Sequence, residues 1–87
     1  MSTADLIHQR LAALEPEACT LEDESAQHKG HAGAASGGGH FRLTLVSPRF
    51  RNLTTIARHR LVYEAMGELM QREIHALSIT ALTPEEL

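Results

Sequence analysis

Apolar and polar positions change period several times along the chain, and each change predicts an element. Leu6, Ile7, Leu11 and Leu14 recur at helical spacing, so residues 3–14 read as an amphipathic helix. Asp5 in its first turn and Arg10 further on suit the helix dipole, and Pro16 stops it. Cys19 and Leu21 then alternate with Thr20 and Glu22, a short strand with one apolar face. Phe41, Leu43 and Leu45 alternate with Arg42 and Thr44, a second strand closed by Ser47-Pro48, because proline cannot donate to a ladder. Thr54 or Thr55 caps a second helical stretch, in which Val62, Met66, Leu69 and Met70 form a stripe with Leu61 and Ala65 beside it. Gly67 bends or divides this stretch, so two helices are expected, with Glu68 and Arg72 as an i,i+4 pair. Leu77, Ile79 and Ala81 alternate with Ser78 and Thr80, a third strand, before a polar tail over 83–87.

The order is α-β-β-α(α)-β, an α+β domain. A strand–helix–strand crossover favours parallel pairing of the last two strands, whereas the first two can pair antiparallel. The expectation is a three-stranded mixed sheet with helices on one face. Residues 25–39 hold five of the six glycines and almost no large apolar side chain. A segment that long without core-forming residues is expected to be a flexible, functional loop.

The chain has 87 residues, of which 43% are hydrophobic and 22% charged, so a single globular domain over 1–87 is expected rather than a disordered one. No apolar run reaches the roughly 18 residues that span a bilayer, and the start Met1-Ser2-Thr3-Ala4-Asp5 lacks a signal's basic and apolar regions. The single cysteine, Cys19, excludes an internal disulfide and any CxxC motif. A cytoplasmic protein without membrane contact is the expectation.

The net charge of −3 conceals a segregation: no Asp or Glu occurs from Ser25 to Tyr63, where Lys29, Arg42, Arg49, Arg51, Arg58 and Arg60 stand. Folded into a patch, these cations hold an anion or an acidic partner. Paired with the acids that flank them, they are an ordinary solvated surface. Composition leaves both open.

Histidine is the residue type that stands out, with six in the chain. His28, His31 and His40 lie in or beside the Gly-rich segment, and neutral imidazole ligates zinc, copper and iron. The same spacing suits a solvated loop. His75 opens the third strand and reads from its surroundings as a hydrogen-bonded strand end. His59, between Arg58 and Arg60, suits an anion contact or a cap. His8 reads as a surface residue without a partner. Cys19, in phase with Leu21, reads as a buried apolar side chain rather than a nucleophile. No nucleophile–base set, Walker loop or dinucleotide fingerprint is present, so the residues point away from an enzyme.

Taken together, Asp23-Glu24-Ser25, His31, His40-Phe41, Val46-Ser47, Arg49-Phe50, Arg58-His59-Arg60-Leu61-Val62-Tyr63 and Ile74-His75-Ala76-Leu77 resemble the BolA family, in order and over nearly the whole chain. The Arg-His-Arg and Ile-His-Ala-Leu blocks are the specific parts. The resemblance implies a BolA or type II KH-like fold, α-β-β-α-α-β. It also implies an adaptor that binds a monothiol glutaredoxin and shares with it a glutathione-ligated [2Fe-2S] cluster, in iron–sulfur trafficking or iron and redox sensing. His75 matches the family's C-terminal histidine ligand. His31 lies where the histidine-type branch places its loop ligand, and His28 is a substitute. His40 matches a histidine before the second strand with a structural or supporting role. Asn52 stands where many relatives have glycine, a place asparagine can fill because it tolerates positive φ.

A second implied reading is a DNA-binding transcription regulator using Arg49, Arg51, Arg58 and Arg60. The backbone-clamping GxxG loop of nucleic-acid-binding KH domains is missing from the helical region: Gly30-His31-Ala32-Gly33 lies between strands. Aromatic residues are only 3%, which is poor for base stacking. A third reading is a zinc or copper loop of His28, His31 and His40 that needs no glutaredoxin. Whether the chain alone is a homodimer stays open.

Overall fold

In a computed structural model, residues 2–24 and 39–87 are described. Helix α1 (Thr3–Leu11) leads through a 3-10 turn (Ala12–Leu14) into strand β1 (Ala18–Asp23). Strand β2 (Gly39–Val46) is followed by a 3-10 turn (Pro48–Phe50), helix α2 (Thr55–Met66), short helix α3 (Leu69–Arg72) and strand β3 (Ile74–Leu82). A last 3-10 turn covers Pro84–Glu86. The element order and the division near Gly67 are those expected. The Gly/His-rich segment, with His28 and His31, lies outside the described residues apart from Gly39.

Strand β2 is central. It pairs antiparallel with β1, Leu21 opposite Leu43, and parallel with β3, Leu43 opposite Ile79. Phe41, Leu43 and Leu45 point under the helices and are at most 4% exposed. Ile7 and Leu11 of α1, Val62 and Met66 of α2, Leu69, Phe50 and Ile74 close the core above them. The opposite sheet face carries Glu22, Arg42 and Ser78 in one row and Thr20, Thr44 and Thr80 in the next. A sheet covered by helices on one face alone leaves its second face to polar side chains.

Local chemistry explains the boundaries. The Ser2 hydroxyl accepts from the Asp5 amide at 3.1 Å, and Asp5 accepts from the Ser2 amide at 3.2 Å, a reciprocal cap that starts α1. These bonds hold the Asp5 carboxyl below its usual range. The helix ends earlier than the apolar spacing suggests. Leu14 keeps the core phase by tightening into a 3-10 turn, and Glu15 takes a left-handed φ of 51° before Pro16. Thr54 caps α2, its hydroxyl accepting from the Ala57 amide at 3.1 Å. Gly67 adopts φ 56° and ψ −126°, the mirror image of extended backbone and open only to glycine at little cost, which separates α2 from α3. Glu68 then stands just before α3, with no capping bond from its side chain, rather than sharing a helix with Arg72, and the two make no ion pair. Asn52 adopts φ 65°, the left-handed conformation expected of it.

The polar tail is pinned down. Thr83 is 5% exposed, Arg58 reaches Glu86 at 2.6 Å, and Arg51 grips Glu85 with two nitrogens.

Candidate functional site

His75 owes its position to an irregularity between β2 and β3. Gly39 is opposite Ile74 and His40 is opposite Ala76, so His75 is an extra residue in the ladder. In a regular strand His75 would share the face of Leu77, Ile79 and Ala81, which pack against the core. The bulge shifts the phase: Ile74 takes the core position at 3% exposure and His75 is released to solvent. Its ring lies against that of His40, centroids 4.9 Å apart and planes inclined by 33°.

Main-chain bonds tie this end of the sheet together. The Glu24 amide donates to the His40 carbonyl at 2.7 Å, and the Gly39 amide donates to the Glu73 carbonyl at 2.9 Å. Glu24 and Gly39 are the two residues that bracket the segment carrying His28 and His31. That segment therefore starts and finishes at the end of the sheet where His75 is displayed. On the helix side of the same end, Ser2, Asp23, Gly39, Phe41, Arg72 and Glu73 line an open groove of about 500 Å³.

The basic middle of the chain meets the acidic flanks. Arg42 lies 3.4 Å from Glu24, Arg49 is 2.8 Å from Glu15, and Arg51 and Arg58 pair with Glu85 and Glu86. Arg58 is also a structural clamp, with its side chain only 14% exposed. It donates to the Leu53 carbonyl at 3.0 Å and to the Ala81 carbonyl at 3.1 Å. Of the four arginines in the expected stripe, Arg60 is the one without an ion pair among the described residues. It shares an exposed face of α2 with Ile56, His59 and Tyr63.

Cys19 and His8 depart from expectation. Cys19 is half-buried, and burial pushes its thiol pKa up. Its sulfur lies 3.7 Å from Nδ1 of His8, so His8 has a partner after all. Helix α1 lies over β1 there, a proximity that helical spacing alone does not reveal. Among the described residues, no group of three or more His, Cys, Asp or Glu side chains is arranged to hold a metal ion. No helix among them is long and apolar enough to cross a membrane.

His40, whose expected role is structural or supporting, lies with its ring against that of His75. A signal existed: parallel β2 and β3 put the starts of both strands side by side, and each start carries a histidine.

The sequence profile of the BolA-like protein family matches residues 11–86. BolA-like protein 1 of Mus musculus is 45% identical over 74 residues, which is 85% of this chain and 52% of that protein. The chain thus spans about half the length of that relative. The DNA-binding transcriptional regulator BolA of Haemophilus influenzae is 33% identical over 87 residues, 99% of this chain and 82% of that one. Among solved structures, the BolA domain of SufE1 from Arabidopsis thaliana superposes with a TM-score of 0.86 at 38% identity, covering 100% of this chain and 98% of that one. With the family profile, a relative covered over 82% of its length and a matching fold in agreement, this chain belongs to the BolA-like protein family.

Proposed function

We propose that this chain is an adaptor rather than an enzyme. It pairs with a monothiol glutaredoxin and supplies histidine ligation to a shared, glutathione-ligated [2Fe-2S] cluster, in cluster trafficking or in iron and redox sensing. One observation carries the reading: His75 is bulged out of the core phase at the end of the sheet where the histidine-bearing segment begins and ends. In this proposal His75 is one ligand and His31 the other, with His28 as substitute.

The donor set suits such a group. At this end the chain offers imidazole and no thiol, since Cys19 pairs with Leu45 toward the other end of the sheet. The thiolates must then come from the partner and from glutathione. Neutral imidazole in place of thiolate lowers the negative charge at the cluster and raises its potential. Histidine ligation also competes with protons near neutrality, which suits release and transfer better than storage.

The test is an anaerobic titration of this protein into a glutathione-ligated [2Fe-2S] glutaredoxin, followed by visible circular dichroism. A new spectrum that saturates at equal stoichiometry and is lost with His75→Ala is the expected outcome. An unchanged spectrum, or one indifferent to His75→Ala, rejects the proposal.

A second reading, DNA-binding regulation, draws on the printed name of the Haemophilus influenzae relative and on Arg60 and His59 on the exposed face of α2. Against it, Arg49, Arg51 and Arg58 are already held by glutamates. It requires duplex binding that weakens steeply with salt. Binding to no duplex at low salt removes it.

A further inference from the structure

We propose that His40 and His75 form a two-imidazole half-site for a borderline divalent cation such as zinc, built by this domain without any partner. The site differs from the cluster ligation proposed above, because it draws on His40 and needs neither glutaredoxin nor glutathione.

The spacing of the two rings is one that a shared cation can bridge. Two imidazoles bound to one tetrahedral zinc by bonds of about 2.0–2.1 Å hold their ring centroids about 5 Å apart. Those of His40 and His75 are 4.9 Å apart. The 33° between the rings is no obstacle, since each imidazole can turn about its own metal–nitrogen bond without changing the tetrahedral arrangement. Among the described residues, these are the two histidine rings in contact.

Both side chains rest on strand backbone rather than on a loop. His40 sits in central β2, between the antiparallel ladder to β1 and the parallel ladder to β3. The bulge that fixes His75 is anchored by buried Ile74 on one side and by Ala76, in register with His40, on the other. Two ligands on rigid neighbouring strands lose little freedom on binding. Imidazole suits zinc, copper and nickel, whereas calcium and magnesium select oxygen. His75 is exposed and His40 half-buried, so solvent reaches the pair and can fill the remaining positions of a four-coordinate ion.

A consequence follows for the function proposed above. A cation on His75 occupies the imidazole that the cluster would use, so zinc and the bridged cluster exclude each other. That consequence rests on the cluster reading; the half-site itself does not.

The test uses apo protein alone, titrated with zinc and followed by calorimetry and by long-range proton–nitrogen spectra of the imidazoles. The expected result is one zinc per chain, with the ring resonances of both His40 and His75 shifting together. His40→Ala and His75→Ala should each weaken zinc at least about tenfold, or about 1.4 kcal/mol. The double variant His28→Ala/His31→Ala should keep wild-type affinity. Amide spectra verify folding, and His40→Gln replaces His40→Ala if the latter unfolds. The proposal is overturned if zinc fails to bind below about 1 mM, a threshold near 4.1 kcal/mol. It is equally overturned if the His40 and His75 rings do not respond, or if the loop double variant abolishes binding. None of these outcomes involves glutaredoxin, so failure here is distinct from failure of the cluster complex.

Discussion

The Ser47 hydroxyl donates to the main-chain oxygen of Leu14 at 2.6 Å, across 33 residues of sequence, and both residues are buried. The Ser47 hydroxyl oxygen in turn accepts from the Arg49 amide at 3.0 Å, while the Ser47 amide donates to the Leu82 carbonyl at 2.9 Å. One small side chain therefore joins the end of the first helical segment to the turn that follows the central strand. Ser47→Ala should leave the Leu14 carbonyl buried without a donor and cost about 1–3 kcal/mol. Urea denaturation measures it; a loss below about 0.5 kcal/mol would place it among ordinary surface substitutions and show that the bond is dispensable.

Gly67 separates α2 from α3 with a backbone conformation that side chains resist. A Cβ there would lie 3.2 Å from the end of the Arg10 side chain, which can move aside, so backbone strain dominates. Gly67→Ala should destabilise the domain by about 1–3 kcal/mol. A D-alanine at 67, introduced by chemical synthesis, fits that conformation and should restore stability. Equal effects of the two enantiomers would refute the explanation.

Ile74 and His75 are adjacent and should behave oppositely. Ile74→Ala opens a cavity in the core and should cost about 2–5 kcal/mol. His75→Ala removes an exposed ring and should change stability by no more than about 0.5 kcal/mol. Thermal melts of both variants check the contrast. A large loss with His75→Ala would make that residue structural.

Glu86 ties the C-terminal turn to Arg58. The guanidinium beside it, with the Thr83 amide, holds its carboxyl down at about 2, against an ordinary 4.5. A depressed carboxylate contributes stability above its unfolded value, and that contribution fades as pH falls from about 4.5 toward about 2. Glu86→Gln should therefore lower the urea midpoint at pH 7. The gap to wild type should narrow through that window. A gap independent of pH would show that the carboxylate's charge is irrelevant.

Cys19 is half-buried with its thiol pKa raised by desolvation. Only thiolate is nucleophilic, so iodoacetamide at neutral pH should modify native Cys19 more slowly than the urea-unfolded chain. Reaction at equal rates would show that the neighbouring His8 activates the sulfur instead.

The order of elements was legible because it rests on local rules. Leu6, Ile7 and Leu11 repeat with the helix, Phe41, Leu43 and Leu45 repeat with the strand, and Pro16, Pro48, Thr54 and Gly67 punctuate them. The Arg-His-Arg and Ile-His-Ala-Leu blocks carried the family, and the fold came with it. The pairing of arginines with flanking acids was one of two readings left open by the charge pattern.

Position at the site was a different matter. By alternation alone, His75 shares a phase with Leu77 and Ile79 and belongs to the core side. Only pairing with β2 reveals the bulge, because register is a relation between two strands and neither strand encodes it alone. The same pairing sets His40 against His75, and the docking of α1 on the sheet sets His8 against Cys19. The sequence by itself determined which segments are helix or strand, since propensity and period act over a few residues. The tertiary structure decided which histidines meet, since contacts between distant residues exist only once the sheet has closed.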